Sequence, residues 1–70
     1  MDDKQIQKLS KLCEHWANHN ESHKESFQKW YDIAKQMRLN SVAENLNKAI
    51  EMMDNCNIYL LEAKKQLSLL

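Results

Sequence analysis

Hydrophobic residues recur along this chain at alternating steps of three and four, in two long series. The first series runs through Ile6, Leu9, Cys13, Trp16, Asn20, His23, Phe27, Trp30, Ala34 and Met37. The second runs through Leu39, Val42, Leu46, Ala49, Met53, Cys56, Leu60, Ala63, Leu67 and Leu70. This spacing keeps one stripe of a helix turned towards a neighbouring helix. The pattern therefore predicts two amphipathic helices that pack as in a coiled coil.

The segment between the two series has the features of a tight turn. Ser41 and Glu44 have the S-x-x-E spacing of a capping box, which satisfies free backbone N–H groups where a helix begins. Asn40 tolerates the left-handed backbone that commonly ends a helix, and Asp2 or Asp3 can cap the first helix. We therefore expect one domain, residues 1–70, with a helix at about 3–38, a turn at about 39–41 and a helix at about 42–69.

Folding the second helix back on the first predicts an antiparallel hairpin whose layers match in size. Each tryptophan lies opposite an alanine in this register, Trp30 with Ala49 and Trp16 with Ala63. Large residues opposite small ones let two helices pack without voids. The same register places His23 opposite Cys56 and Asn20 opposite Leu60.

Apolar residues beside this seam predict self-association. Leu12, His19 and Ile33 flank the seam on the side where Met52 and Tyr59 flank it on the second helix. A 70-residue chain buries only a thin core, and burying more apolar surface stabilises it by roughly 25 cal/mol per Å². Docking a second copy on this side makes a four-helix bundle. We expect a homodimer; a helix from a different protein partner is the first alternative and a monomer the second.

Composition narrows the fold class and the partners. The chain has no glycine or proline, and its helix-favouring residues predict an all-α fold. Ten basic and ten acidic residues balance, so the basic excess typical of nucleic-acid-binding proteins is missing. The longest apolar run, residues 58–61, is too short to span a bilayer, and the sequence begins without the pattern of a secretory signal. We expect no nucleic-acid or membrane partner, and a cytoplasmic location.

Three histidines carry the candidate chemistry. His15, His19 and His23 recur every four residues, which stacks them on successive turns of a helix. Two histidines four residues apart can hold one divalent ion if a facing element supplies further ligands. All three do not readily share one ion, because His15 and His23 lie about 12 Å apart along the axis. With Cys56 opposite His23, these four residues form a candidate site for zinc, nickel or cobalt.

The position of two histidines along the hairpin adds to this hypothesis. His19 and His23 lie near the middle of its length, so antiparallel docking of two hairpins would bring both copies together at the centre of the bundle. Four imidazoles would then surround one point, which is enough for a closed site.

A structural interpretation competes with the metal hypothesis. Polar residues in a helical seam often set the register and the choice of partner. Asn20 and His23 are such residues here, and Tyr59 is roughly level with His19 and can supply a hydrogen bond. The aromatic residues also have the spacing of core residues rather than of a ligand box.

One stretch resembles a known group of proteins. The residues HWANHNESHKESFQKW show the pattern H-W-x-x-H-N-x-x-H followed by F-x-x-W, which is shared by small uncharacterised prokaryotic proteins and domains. The matching residues are His15, Trp16, His19, Asn20, His23, Phe27 and Trp30. The resemblance implies a helical protein and suggests metal handling, but no established activity. The second helix here is richer in Asn, Met and Cys and poorer in Glu than in that group, so acidic ligands there are not implied.

We expect this chain to be a non-enzymatic, oligomeric helical interaction module in which Asn20, His23 and Tyr59 set the packing. The alternative function is binding of a transition-metal ion by the histidine ladder. Neither reading requires another cofactor. Catalysis is not expected, because a narrow helical seam offers no substrate pocket, and N–H groups outside the caps are already bonded within their helices.

Overall fold

The computed structural model describes residues 3–70 and contains two helices joined by a short turn. Helix α1 spans Asp3–Gln36 and helix α2 spans Asn40–Ser68. No strand occurs in residues 3–70, so the predicted all-α class is confirmed. Over the same residues, neither helix combines the length and the apolar composition needed to cross a membrane.

The two helices run antiparallel along their whole length. Glu14, near the start of α1, pairs with Lys64 near the end of α2. Nearly three turns further along α1, Lys24 pairs with Asp54, which lies earlier in α2. The hairpin that results is 55 Å long and only 14 by 11 Å across.

The turn comprises residues 37–39 and comes two residues earlier than the sequence predicts. Arg38 adopts a left-handed backbone with φ of 58°. Its N–H donates to the carbonyl of Lys35 (3.1 Å), and the N–H of Leu39 donates to the carbonyl of Ala34 (2.9 Å). These two bonds form a Schellman motif with Arg38 at the position that glycine usually occupies. The prediction that Asn40 has the left-handed backbone is therefore wrong, and Asn40 begins α2 instead.

The start of α2 also differs from the prediction. Leu39 is the N-cap residue, and no side chain caps the helix there. Because α2 begins at Asn40, Ser41 and Glu44 already lie inside the helix and do not form the predicted capping box. At the start of α1, Asp3 is a helical residue whose negative charge suits the first turn. The other predicted cap, Asp2, lies outside the described residues.

The seam between the helices consists of buried and half-buried residues at alternating steps of three and four. On α1 they are Ile6, Ser10, Cys13, Ala17, Asn20, Lys24, Phe27, Tyr31 and Ala34. On α2 they are Ala43, Leu46, Ile50, Met53, Asn57, Leu60, Lys64 and Leu67. About half of the predicted seam is therefore confirmed, namely Ile6, Leu46 and the residues that follow each of them at steps of seven. Leu39, the first residue of the second predicted series, lies in the turn and is exposed.

The other half of the predicted seam is wrong by one residue on both helices. Ala17 and Ala43 are buried in the seam, whereas the preceding residues Trp16 and Val42 are exposed. His23 and Cys56, predicted to face each other in the seam, are likewise exposed, as is Trp30. A lone pair of helices approaches closely only where small side chains line the contact, since the interaxial distance follows side-chain size. Ala17, Ala34 and Ala43 therefore lie in the seam, and the indoles lie beside it.

The register differs from the predicted one by three residues at the polar layer. Asn20 lies opposite Asn57, to which its side-chain Nδ2 donates a hydrogen bond of 2.9 Å, rather than opposite Leu60. Asn57 is only 7% exposed and is the one polar residue in the buried class among those described. The centre of the hairpin is therefore held by an amide pair.

Candidate functional site

The amide pair is part of a small hydrogen-bonded cluster. Asn57 accepts from Asn20 through Oδ1, and its Nδ2 donates to Oε1 of Glu21 at 3.0 Å. Asn20 Nδ2 also lies 3.6 Å from Sγ of Cys56. In residues 3–70, no buried side-chain nitrogen or oxygen lacks a partner. A satisfied polar pair in an otherwise apolar seam favours one register, since a slip would leave its polar atoms without partners.

Two of the three predicted register residues have other surroundings. His23 is exposed and bonds to His19. Tyr59 is 74% exposed, so it lies outside the seam. Asn57, which takes the role, was missed by the sequence analysis. A signal for this register was present in the sequence. Glu21 with Asn57, Lys24 with Asp54 and Glu14 with Lys64 are complementary pairs whose residue numbers add up to 78. Residues that face each other in an antiparallel hairpin share such a constant sum.

Ion pairs line one side of the seam. Lys64 Nζ donates to Oε2 of Glu14 at 2.6 Å, and this bond together with the lysine charge lowers the pKa of Glu14. A hydrogen bond to Asp54 raises the pKa of Lys24. The stems of both lysines lie in the seam while their ammonium groups reach this side. Surface pairs of this kind stabilise little but mark this side as polar.

The opposite side of the seam is apolar and open. We call it the apolar flank and define it by ten residues, which form two rows of five at seven-residue spacing. The row along α1 consists of Leu9, Trp16, His23, Trp30 and Met37, and the row along α2 consists of Val42, Ala49, Cys56, Ala63 and Leu70. Because the helices are antiparallel, residues with the same offset from the seam lie on the same side of the hairpin. All of them except the half-buried Ala49 are exposed.

The two indoles are the largest groups of the apolar flank. Trp16 is 42% exposed and Trp30 is 56% exposed. The ammonium group of Lys29 lies 5.8 Å from the ring centre of Trp30, within reach of a cation–π contact. Leu12 and Ile33 are half-buried beside this row. The α1 row of the flank therefore carries mostly large apolar side chains, and no element formed by residues 3–70 covers it.

The histidine ladder, His15, His19 and His23, lies along α1, and its last member belongs to this flank. The ring centres of His15 and His19 are 6.2 Å apart and stacked, whereas those of His19 and His23 are 4.5 Å apart and nearly perpendicular. The next ring along, Phe27, stacks on His23 at 6.2 Å. The Nε2 atoms of His19 and His23 are 3.0 Å apart and share a hydrogen bond. Only one pair of the ladder therefore points its nitrogens at a common place.

The predicted set of four metal ligands does not assemble within one chain. His15 stacks on its neighbour instead of converging with it, and Cys56 lies against Asn20. Among the described residues, no group of three or more His, Cys, Asp or Glu side chains could hold an ion. A single hairpin supplies at most the two imidazoles of His19 and His23.

The sequence matches one known protein family. Residues 9–67 match the family described as Domain of unknown function (DUF8180). The chain belongs to this family. The match to DUF8180 includes the amide pair, the histidine ladder and most of the apolar flank. No curated protein and no solved structure matches the sequence. That the H-W-x-x-H-N-x-x-H pattern marks DUF8180, and that the family is prokaryotic, stay predictions.

Proposed function

We propose that this DUF8180 chain is a non-catalytic interaction module that forms a homodimer, with the apolar flanks of two hairpins packed into a four-helix bundle. The observation that carries the proposal is the apolar flank itself. The buried hydrophobic residues of the hairpin are only Cys13, Ala17, Ala34 and Ala43, while both indoles are exposed. An exposed row of large apolar side chains is typical of a surface that binds another molecule.

The accessible surface supports a partner of substantial size. The hairpin exposes 5718 Å², whereas a compact monomer of 8.4 kDa exposes about 4,600 Å². The excess of about 1,100 Å² is larger than the roughly 800 Å² that each partner buries in a standard interface. Docking a second hairpin along the flank would bring this chain to the surface-to-mass ratio of an ordinary small protein.

The sizes of the side chains favour a second copy as the occupant. The α1 row of the flank carries the two indoles, whereas the middle of the α2 row carries Ala49, Cys56 and Ala63. In a two-fold dimer, each surface meets itself, so α1 of one copy can pack against α2 of its partner. Large residues would then lie opposite small ones. The tryptophans of one copy would thus pack against the alanines of the other, Trp16 on Ala63 and Trp30 on Ala49. The balanced charge of the chain also avoids repulsion between them.

Substituting one indole tests this proposal. Trp30→Glu places a charge within the proposed interface, so we expect the dimer dissociation constant to rise at least about thirtyfold, because hot-spot losses of 2 kcal/mol or more are typical for tryptophan. The matched control is Ile58→Glu, since Ile58 is 61% exposed and lies one residue beyond the buried Asn57, away from the flank. The control should remain dimeric.

Sedimentation equilibrium across a range of protein concentrations measures the effect directly. Tryptophan emission gives a second readout, because Trp16 and Trp30 lose contact with water when the dimer forms. A wild-type protein that stays monomeric at all concentrations would refute the homodimer and leave a helix of another protein as the occupant. Equal weakening by Trp30→Glu and Ile58→Glu would also refute the flank as the interface.

A further inference from the structure

We infer that two copies of this chain bind one divalent transition-metal ion between them, through the imidazoles of His19 and His23 from each copy. This inference rests on the proposed homodimer. It assigns a ligand to the middle of the apolar flank, and it explains why the imidazole of His23 lies in an otherwise apolar row of α1.

The geometry of the histidine pair is close to that of half a tetrahedral site. The two Nε2 atoms are 3.0 Å apart and are directed at each other by the hydrogen bond they share. Two imidazole nitrogens on one tetrahedral zinc ion are about 3.3 Å apart, given Zn–N bonds of 2.0–2.1 Å. After small side-chain rotations, a metal ion can therefore take the place of the proton that the two nitrogens share. Both rings are exposed, so an ion can reach them.

The symmetry of the proposed dimer lets a second copy complete the site. A two-fold axis that packs α1 of one copy against α2 of its partner runs parallel to the helices. Rotation about this axis leaves the height along the bundle unchanged, so the two histidine pairs would lie at the same height on the two α1 helices. His23 belongs to the flank and would face the partner, with His19 one turn away on the same side.

The donor set defines the class of ligand. Four neutral imidazoles suit zinc or cobalt(II) in tetrahedral geometry, whereas calcium and magnesium need oxygen ligands. One chain supplies only two such donors, because His15 stacks on His19 without converging. The ion would therefore be bound with high affinity only in the dimer, and it would stabilise the dimer in return.

Metal titration of the untagged, reduced protein tests the inference. We would add Zn²⁺ to the protein for native mass spectrometry, and Co²⁺ for visible spectroscopy, in which four-coordinate cobalt absorbs far more strongly than six-coordinate cobalt. The expected result is one ion for two chains and a four-coordinate cobalt spectrum. His19→Ala or His23→Ala removes two of the four ligands, so affinity should fall at least about a hundredfold, since losing a group that only orients a ligand already costs 10–100-fold.

His15→Ala is the matched control, because it removes a histidine of the same ladder that does not converge with the others. This variant should bind the ion as the wild type does.

Trp30→Glu separates the two proposals. If this variant binds one ion for each chain as tightly as the wild type does, the site belongs to a single hairpin and the shared site is overturned. If a dimeric wild-type protein binds neither ion, the metal site is overturned while the proposed dimer stands. A protein that is monomeric with and without metal overturns both.

Discussion

Removing the amide pair at the centre of the hairpin should show how much of the register it sets. The variants are Asn20→Ala, Asn57→Ala and the double variant. Asn57→Ala removes two side-chain hydrogen bonds, at 2.9 Å and 3.0 Å, and leaves the amide of Asn20 without its acceptor. Asn20→Ala removes the bond to Asn57 and the weaker one to Sγ of Cys56, and it leaves the carbonyl oxygen of the buried Asn57 without its donor.

The expected magnitude follows from these contacts. A hydrogen bond contributes about 1 kcal/mol net, and an unsatisfied buried polar group costs about 1–3 kcal/mol. Alanine regains up to about 0.7 kcal/mol through its higher helix propensity. We therefore expect each single variant to lose about 1–2 kcal/mol in the free energy of unfolding. The double variant should lose less than the two single losses added together, by at least about 0.5 kcal/mol, because each single change already breaks the shared bond.

Urea denaturation followed by far-UV circular dichroism measures these losses. With a slope of about 1 kcal/mol per molar urea for so small a protein, each single variant should shift the midpoint by about 1–2 M. All variants must be compared at one protein concentration, because association adds to apparent stability. Asn47→Ala is the matched control, since Asn47 is exposed and bonds only weakly, at 3.4 Å, to Glu51 in its own helix. It should be neutral or stabilising by up to about 0.7 kcal/mol.

Additive effects would refute the reasoning. If the two single losses sum to the loss of the double variant within about 0.3 kcal/mol, Asn20 and Asn57 do not act as a pair. A further variant separates register from stability. Replacing both asparagines by leucine should leave stability unchanged or higher, because no polar group is left unsatisfied. We expect that variant to lose its single register, which sedimentation equilibrium would detect as a mixture of oligomeric states.

Three other predictions test the turn and the ion pairs. Arg38→Gly should stabilise the hairpin by about 0.5–1 kcal/mol in urea denaturation. The left-handed backbone at φ 58° costs an L-residue about 1–2 kcal/mol, and the larger unfolded-state entropy of glycine cancels part of the gain. Destabilisation would contradict the Schellman motif. Lys64→Met should return the pKa of Glu14 towards its ordinary 4.5 in an NMR titration, and the Glu14 contribution to stability, present above that pH, should be lost as the pH falls through its lowered folded pKa. The raised pKa of Lys24 acts in the opposite sense, because its contribution is present below pH 10.5 and should be lost as the pH rises through the folded pKa. Asp54→Asn should weaken this dependence, and Glu21 should maintain a smaller part of it.

The sequence alone predicted the two helices, and it singled out Asn20, His19 and His23 but not Asn57. Helix formation depends on local properties, namely the absence of glycine and proline and the steps of three and four, and these are readable along the chain. The capping residue was harder to predict, because Arg38 has no special preference for a left-handed backbone. The two helices require a reversal near there, and the chain closes it with the backbone hydrogen bonds of the Schellman motif.

Only the tertiary structure decided which face of each helix packs inside the hairpin. Two series one residue apart, one with Trp16 and one with Ala17, both continue along α1 with the spacing of a packed seam. Hydrophobicity alone favours the indoles, but two helices in contact approach more closely over alanines and place Asn20 opposite Asn57. That preference depends on both helices at once, so neither helix reveals it by itself. The indoles are left on the apolar flank, where the large surface they expose is the physical reason to expect a second molecule.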